Sequence, residues 1–144
     1  MSKVAILERA KNHCDNHQYR FTDPRRQVLE VLLSHPDAVG AYDIIKSLST
    51  KEHPVKPPTV YRAIEFWIQQ GFVHKIESIN AYIACCHHDS HQHSLIMICD
   101  DCHEVNEVAL DQLPSSIKDT LRSYQFTLKK SVMEITGYCK TCCQ

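Results

Sequence analysis

The chain has 144 residues, with 16 Lys+Arg against 17 Asp+Glu, a formal net charge of −1, and eight cysteines. No apolar run approaches the length of a membrane-spanning helix, and the first residues lack the apolar core of a signal peptide, so we expect a cytoplasmic protein. In a reducing compartment paired cysteines are typical of metal sites rather than of disulfides, and a near-neutral charge does not by itself indicate a nucleic-acid binder.

Four helices are predicted in the first half of the chain. Apolar residues at helical spacing and helix-breaking residues at the ends predict helices over about 4–17, 23–34, 41–48 and 57–70. Pro24 and Gly71 are typical of a first helical turn and of a left-handed helix stop. Two short strands, 72–78 and 81–85, follow the fourth helix. Helices followed by a hairpin predict a winged helix-turn-helix, a DNA-binding fold.

The second half has a different order of elements. Strands are predicted over 95–98 and 105–110, a helix over 113–124, and a strand over 126–135. We therefore predict an α+β protein with two domains: an N-terminal winged-helix domain over 1–86, and a small C-terminal α/β domain over 87–144.

Two Cys-x-x-Cys pairs lie in the predicted C-terminal domain. They contribute Cys99 with Cys102 and Cys139 with Cys142. Each short turn presents two thiolates to one ion, and two such turns complete the closed tetrahedral shell of structural zinc. A redox dithiol is the other interpretation, but it requires a βαβ context that this pattern lacks. The spacing therefore predicts a structural zinc site that holds the second half together.

A second candidate site depends on the register of the wing hairpin. If the hairpin turns at Ile79 and Asn80, then His74 lies directly across from Cys85, close enough to share an ion. Both side chains could equally be half-buried core groups. Four further donors lie nearby in the sequence, namely His87, His88, His91 and His93, and Glu107 could reach the site from the strand after Cys102. A cysteine among nitrogen and carboxylate ligands favours zinc over magnesium or manganese.

The fourth helix is the candidate DNA-reading element. Its polar side carries Thr59 and Arg62 beside Tyr61, with Lys56 just before the helix and Tyr42 at the start of the third helix. An arginine on a polar helix face is ordinarily only solvated, but on a recognition helix it is placed to contact bases or phosphates. These five residues are the predicted DNA contacts.

Taken together, these segments resemble the ferric-uptake-regulator family, and within it the zinc-sensing branch. The motifs that carry the resemblance are Ala41-Tyr42-Asp43, Pro57-Pro58-Thr59-Val60-Tyr61-Arg62-Ala63, Gly71-Phe72-Val73-His74-Lys75 and the paired cysteines. The resemblance covers almost the whole chain. It implies a homodimeric winged-helix repressor whose zinc-loaded form binds a palindromic AT-rich operator and represses zinc-uptake genes.

The resemblance also implies two zinc ions per subunit. The structural ion would be held by the four paired cysteines, and the regulatory ion by His74, Cys85, His93 and Glu107, with His91 as the alternative loop histidine. An iron-, manganese- or peroxide-responsive regulator of the same family is the near alternative, and a zinc-ribbon adaptor that binds only protein is the distant one. No enzyme activity, small-molecule substrate or membrane partner is expected, since the zinc-deaminase signatures are absent from the sequence.

Overall fold

Four helices and a two-stranded hairpin make up the first unit of the chain, Met1–Cys86, and a three-stranded sheet with one helix makes up the second, His87–Gln144. The computed structural model describes residues 2–85 and 93–143. This α+β content, with a winged helix-turn-helix first, confirms the fold class predicted from the sequence.

The elements of the first unit closely follow the predicted ones: α1 Lys3–Asn16, α2 Asp23–Ser34, α3 Ala41–Leu48, α4 Pro57–Gln69, β1 Val73–Ile76 and β2 Ala81–Ala84. Proline occupies the first turn of α2 and of α4, where its missing N–H would have had no helical partner. Gly71 ends α4 with φ of 79°, a left-handed conformation that glycine adopts without steric cost.

The core of the first unit is formed by the apolar sides of its helices against the hairpin. Its largest fully buried side chains include Leu29, Leu32, Ile44, Ile64, Trp67 and Phe72. Helix α1 contributes Ile6, Ala10 and Cys14, whereas Val4, the apolar residue at which the predicted helix begins, is 64% exposed. The side of a helix that is buried depends on the elements that pack against it. A helical period of only a few apolar residues does not determine which side that is.

The wing hairpin has a different register from the predicted one. A single 3-10 turn, Glu77–Ile79, and Asn80 in a left-handed conformation (φ 48°) connect the strands. As a result His74 pairs with Ile83, not with Cys85. The prediction of a direct pair was wrong because a 3-10 turn takes up more residues than the two-residue turn it assumed. Backbone bonds between Val39 and Tyr82, 2.8 and 2.9 Å long, attach the hairpin to the segment before α3.

The second unit contains β3 His93–Cys99, β4 Val105–Leu110, α5 Ser115–Ser123 and β5 Ser131–Gly137. Strand order is β4-β3-β5, with β3 antiparallel to β4 and parallel to β5. Strand β5 begins at Ser131 rather than at the predicted Phe126, which is 61% exposed. Its first partner is His93, where β3 begins, and a strand extends only as far as a neighbour can bond it.

Few side chains of the second unit are buried. Among the described residues its buried apolar groups are Ile96, Ile98, Cys99, Val105 and Leu113, and no residue of α5 is buried. So small a core contributes little stability by itself, because most of the apolar surface stays in water. Within the described part of the chain, no helix has the length and apolarity needed to cross a membrane.

Candidate metal centres and nucleic-acid interface

The first cysteine pair lies in a tight turn between β3 and β4. The backbone N–H of Cys99 donates to the Glu104 carbonyl at 2.9 Å, and the N–H of His103 donates to the Cys99 carbonyl at 3.0 Å. His103 closes this turn in the left-handed region with φ of 60°. The turn therefore points the sulfurs of Cys99 and Cys102 to the same side, as a zinc-binding turn requires.

The second pair follows β5 and lies against the first because β3 and β5 are neighbours. Cys99 is the register partner of Gly137, and the N–H of Asp100 donates to the Gly137 carbonyl at 2.8 Å. Two further N–H groups, of Cys142 and Cys143, donate to the Cys139 carbonyl at 3.0 and 2.8 Å and close the second turn. Parallel pairing of two strands distant in sequence thus joins the two turns.

The four sulfurs have the geometry of a tetrahedral metal shell. One ligand atom from each of Cys99, Cys102, Cys139 and Cys142 lies within 4.8 Å of the others, and the sulfurs of Cys102 and Cys139 are 3.6 Å apart. Zinc–sulfur bonds of about 2.3 Å in a regular tetrahedron separate the sulfurs by about 3.8 Å. The residues therefore fit zinc, both in the chemistry of the donors and in their spacing.

Hydrogen bonds from the turns favour the thiolate form of two of these ligands. Backbone N–H groups of Cys102 and Cys139 lower the pKa of Cys99 to about 6. The Thr141 hydroxyl, 3.0 Å from the sulfur, and the Cys142 backbone N–H lower the pKa of Cys139. The pKa of Cys142 is raised, since its thiol bonds the sulfurs of Cys139 and Cys102. Because metals bind the thiolate, the folded turns already favour the binding form at two positions.

Thr141 is a residue whose role the sequence interpretation missed. It stands between the two cysteines of the second pair, and its hydroxyl lies within bonding distance of the Cys139 sulfur. The only sequence signal is that a hydroxyl residue occupies one of the two positions inside a Cys-x-x-Cys turn, where hydrogen bonds to the sulfur are common. Such bonds position a ligand and adjust its affinity for the metal.

The wing hairpin brings His74 and Cys85 together despite the shift in register. Because Cys85 is two residues beyond the pairing partner of His74, it stays on the same face as a diagonal neighbour. Both residues are buried, each 5% exposed, and their ligand atoms lie within 4.8 Å of each other. The backbone N–H of Cys85 donates to the Phe72 carbonyl at 2.8 Å and fixes the end of the strand.

The other predicted ligands belong to the second unit. Glu107 is half-buried on β4 and pairs with Ile96, whereas His93 begins β3 three positions earlier and is therefore on the opposite face of the sheet. The Nδ1 atom of His93 lies 2.9 Å from the Ser131 hydroxyl. His87, His88 and His91 lie outside the described residues. The structure therefore does not place His93 and Glu107 on one side of the sheet.

The predicted DNA contacts lie on the surface of the first unit. Tyr42 is 75% exposed at the start of α3, and Tyr61 is 48% exposed on α4. Arg62 and Lys56 are exposed, whereas Thr59 is half-buried in the first turn of α4. The opposite side of α4 is buried in the core, so the helix presents one polar side to a partner.

Comparison with known proteins gives concordant results. The profile of the ferric uptake regulator family matches residues 16–136. The zinc uptake regulation protein of Escherichia coli strain K12 is 36% identical over 138 residues, which are 95% of this chain and 81% of that protein. A solved zinc uptake regulator in complex with zinc and DNA has a TM-score of 0.85 and 35% identity over 99% of this chain and 95% of that one. The crystal structure of holo XcZur has a TM-score of 0.81 and 30% identity, covering 98% of each chain.

Proposed function

Because this chain belongs to the ferric uptake regulator family, whose members are transcription regulators rather than enzymes, we propose that it is a zinc-responsive transcriptional repressor. Its zinc-loaded homodimer binds a palindromic AT-rich operator and represses genes for zinc uptake. The relatives described above, among them a regulator solved with zinc and DNA, support this function.

The observation that carries the zinc specificity is the buried Cys85 thiol beside His74 in the wing. A thiolate is a soft ligand, so a set that combines it with imidazole and carboxylate prefers zinc to manganese or magnesium. A sensor of iron or manganese would be expected to use nitrogen and oxygen donors only. The iron, manganese and peroxide alternatives are therefore less well supported by this donor set.

We propose two zinc ions per subunit, one structural and one regulatory. The structural ligands are the four paired cysteines. The regulatory ligands are His74, Cys85 and Glu107 with a histidine from the loop between the two units. For that position His93 is the less favourable choice, because it lies on the face of the sheet opposite Glu107 and its Nδ1 atom contacts Ser131. His91, the alternative loop histidine, lies outside the described residues and is the ligand that we propose for this position.

The choice between the two histidines gives a direct prediction. We expect His91→Ala to abolish binding of the regulatory zinc, whereas His93→Ala keeps it, because only the former removes a ligand. Zinc per subunit, measured by atomic absorption after dialysis against a weak chelator, should fall by one ion in His91→Ala alone. The opposite pattern would restore His93 as the ligand.

In the proposed mechanism, the wing hairpin and the second unit each carry ligands of the regulatory zinc. The arrangement of these ligands decides whether the protein binds DNA. A bound zinc ion supplies a cross-link between ligands of the two units. Recognition helices of a symmetric dimer must be about one helical turn of DNA apart, so a loosely held arrangement loses affinity without losing any DNA-contacting side chain. The response requires that the DNA-competent arrangement bind the ion more tightly than the alternatives do.

Exposed apolar side chains on the second unit support a homodimer. Met97, Val108 and Ile135 are 36%, 40% and 49% exposed, and the strand register places them on one face of the sheet. A contiguous apolar face of this kind is typical of a protein interface. A second copy of the chain, related by two-fold symmetry, would also present two recognition helices to the two halves of a palindrome.

The test of this function is a gel shift of the full-length protein on palindromic AT-rich duplex DNA with free zinc buffered over its range. We expect binding to appear with zinc and to disappear when a chelator lowers it. The same titration with iron(II) and manganese(II) separates the alternatives within the family. Failure to bind any duplex at any zinc concentration would favour the adaptor interpretation instead.

Arg62→Ala should weaken operator binding by about 1–3 kcal/mol and relax the preference at one base pair. The reason is that Arg62 is exposed on the polar side of α4, and an arginine of a helix that enters the major groove can bond a base edge. Affinities for the operator and for each single-base variant of it provide the measurement. Gln69→Ala, an exposed change at the far end of the same helix, is the matched control. An equal loss on every sequence would instead identify a phosphate contact.

A further inference from the structure

Arg25, in the first turn of α2, contacts α4 through both its side chain and its backbone. Its guanidinium carbon lies 3.5 Å from the centre of the Phe66 ring, within the range of a cation–π contact. Its carbonyl oxygen accepts a 2.7 Å hydrogen bond from the indole N–H of Trp67. Trp67 is fully buried and Phe66 is 8% exposed, so both contacts attach Arg25 to the core side of the recognition helix.

The same guanidinium also holds the connector between α1 and α2. Its NH1 group donates to the Arg20 carbonyl at 2.5 Å. The neighbouring aromatic residues continue the contact: Tyr19 meets the Phe66 ring edge-on at 5.6 Å, and Phe21 meets Trp67 at 6.0 Å. One planar cation therefore joins three segments, namely the connector, the start of α2 and the second half of α4.

On the basis of the function proposed above, we propose that Arg25 is a positioning residue for DNA recognition. Phe66 and Trp67 lie about one helical turn after Arg62, so the contacts that hold these two residues fix the orientation of the segment of α4 that carries Arg62. Arg25 thereby sets the angle at which the polar side of α4 meets the major groove, although it has no DNA contact of its own.

The chemistry of the contacts requires arginine rather than any cation. A guanidinium is planar, so it can lie flat on a ring while an N–H in its plane donates to a carbonyl at the edge. A lysine ammonium keeps the charge but cannot do both. Arg25→Lys is therefore the informative change, since it leaves the net charge unchanged but cannot contact the Phe66 ring and the Arg20 carbonyl at the same time.

The chain offers a matched control in the adjacent residue. Arg26 makes its ion pairs within its own helix, with Glu30 at 2.6 Å and Asp23 at 3.8 Å. These are partly exposed pairs at helical spacing, which contribute little to stability. Arg26→Lys changes the same side chain at the same helix end and should leave DNA binding as in the wild type.

The experiment uses full-length, zinc-loaded protein and two duplexes: the palindromic AT-rich sequence that the wild type selects from random DNA, and an unrelated sequence of the same length. We expect Arg25→Lys to bind the selected duplex about tenfold more weakly, a loss of the size of one cation–π contact. Affinity for the unrelated duplex, the salt dependence of binding and zinc content should not change. A purely structural role would lower both affinities in proportion to the unfolded fraction.

A second variant covers the case in which Arg25→Lys does not fold. Phe66→Met removes the ring but fills its volume, and it should produce the same selective loss. Adding Arg25→Lys to it should then cost little more, because the two changes break one contact.

Three results would overturn the proposal. They are wild-type affinity in Arg25→Lys, full additivity with Phe66→Met, or an equal loss on both duplexes with a salt slope reduced by about one, the mark of a phosphate contact. If the zinc-loaded wild type itself selects no duplex, the proposed function fails as well, so the two failures are distinguishable.

Discussion

Cys99→Ser is expected to unfold the second unit and to remove the structural zinc. Structural zinc in small domains contributes on the order of 10–16 kcal/mol of apparent binding free energy, whereas a whole domain is stable by only about 5–15 kcal/mol. The second unit buries few side chains, and no residue of α5 is among them, so little else can replace that contribution. Serine cannot replace the thiolate, because its hydroxyl does not ionise at neutral pH.

The measurement combines zinc content, circular dichroism and gel filtration. We expect the variant to lose the strand signal of the second unit and the dimer, while the helices of the first unit remain. Cys143→Ser is the matched control: Cys143 adjoins the site and is exposed, but it is outside the four-sulfur group. A Cys99→Ser protein that is zinc-free at this site and fully folded would contradict a structural role.

Cys85→Ser is expected to abolish the zinc response while leaving the fold intact. The change removes the soft ligand, so we expect a larger loss of regulatory zinc affinity than the roughly 10–100-fold that follows from removing an outer partner of a ligand. Moving a two-state protein from about 1% to about 99% in its active state requires about 10⁴-fold preferential binding, which a depleted ligand set cannot supply. The backbone bond from Cys85 to the Phe72 carbonyl is unaffected, so β2 should persist.

The measurement is operator affinity as a function of buffered free zinc, together with the zinc content of the protein. We expect one ion per subunit to remain, held by the four paired cysteines, and no increase in DNA binding as zinc rises. Cys86→Ser, a change of the adjacent thiol in a residue outside the described part, is the control and should respond as the wild type does. A normal zinc response in Cys85→Ser would remove Cys85 from the sensing site.

The structural features that could be predicted were those that depend on residues at or near the same position in the chain. Proline at the first turn and Gly71 after the last turn gave the bounds of α4 to within a residue, since both act on the backbone at their own position. The Cys-x-x-Cys spacing likewise predicted two ligand turns. Hydrophobic period, together with the helix-breaking residues at the ends, also gave the bounds of α2 and α3.

Register and facing were decided by contacts that the sequence does not specify. The wing pairs His74 with Ile83 because of its 3-10 turn. His74 and Cys85 still lie close together only because a register shift of two residues keeps both side chains on the same face of the hairpin. The family resemblance implied His93 as a ligand, and the strand pairing sets this residue on the face of the sheet opposite Glu107. The sequence did not indicate the contacts of Arg25, since its partners Phe66 and Trp67 are some 40 residues away.

The amino-acid order alone therefore determined the succession of elements, the four-sulfur shell and the family to which they point. Those features depend on neighbours within a few residues, or on ligand chemistry that has few solutions. Only the folded chain decided which donors share a face, how the two cysteine turns meet across β3 and β5, and which side chain of α2 contacts Phe66 of α4. Each of these depends on the pairing of segments distant in sequence, where a difference of a few kcal/mol in packing selects one register among several.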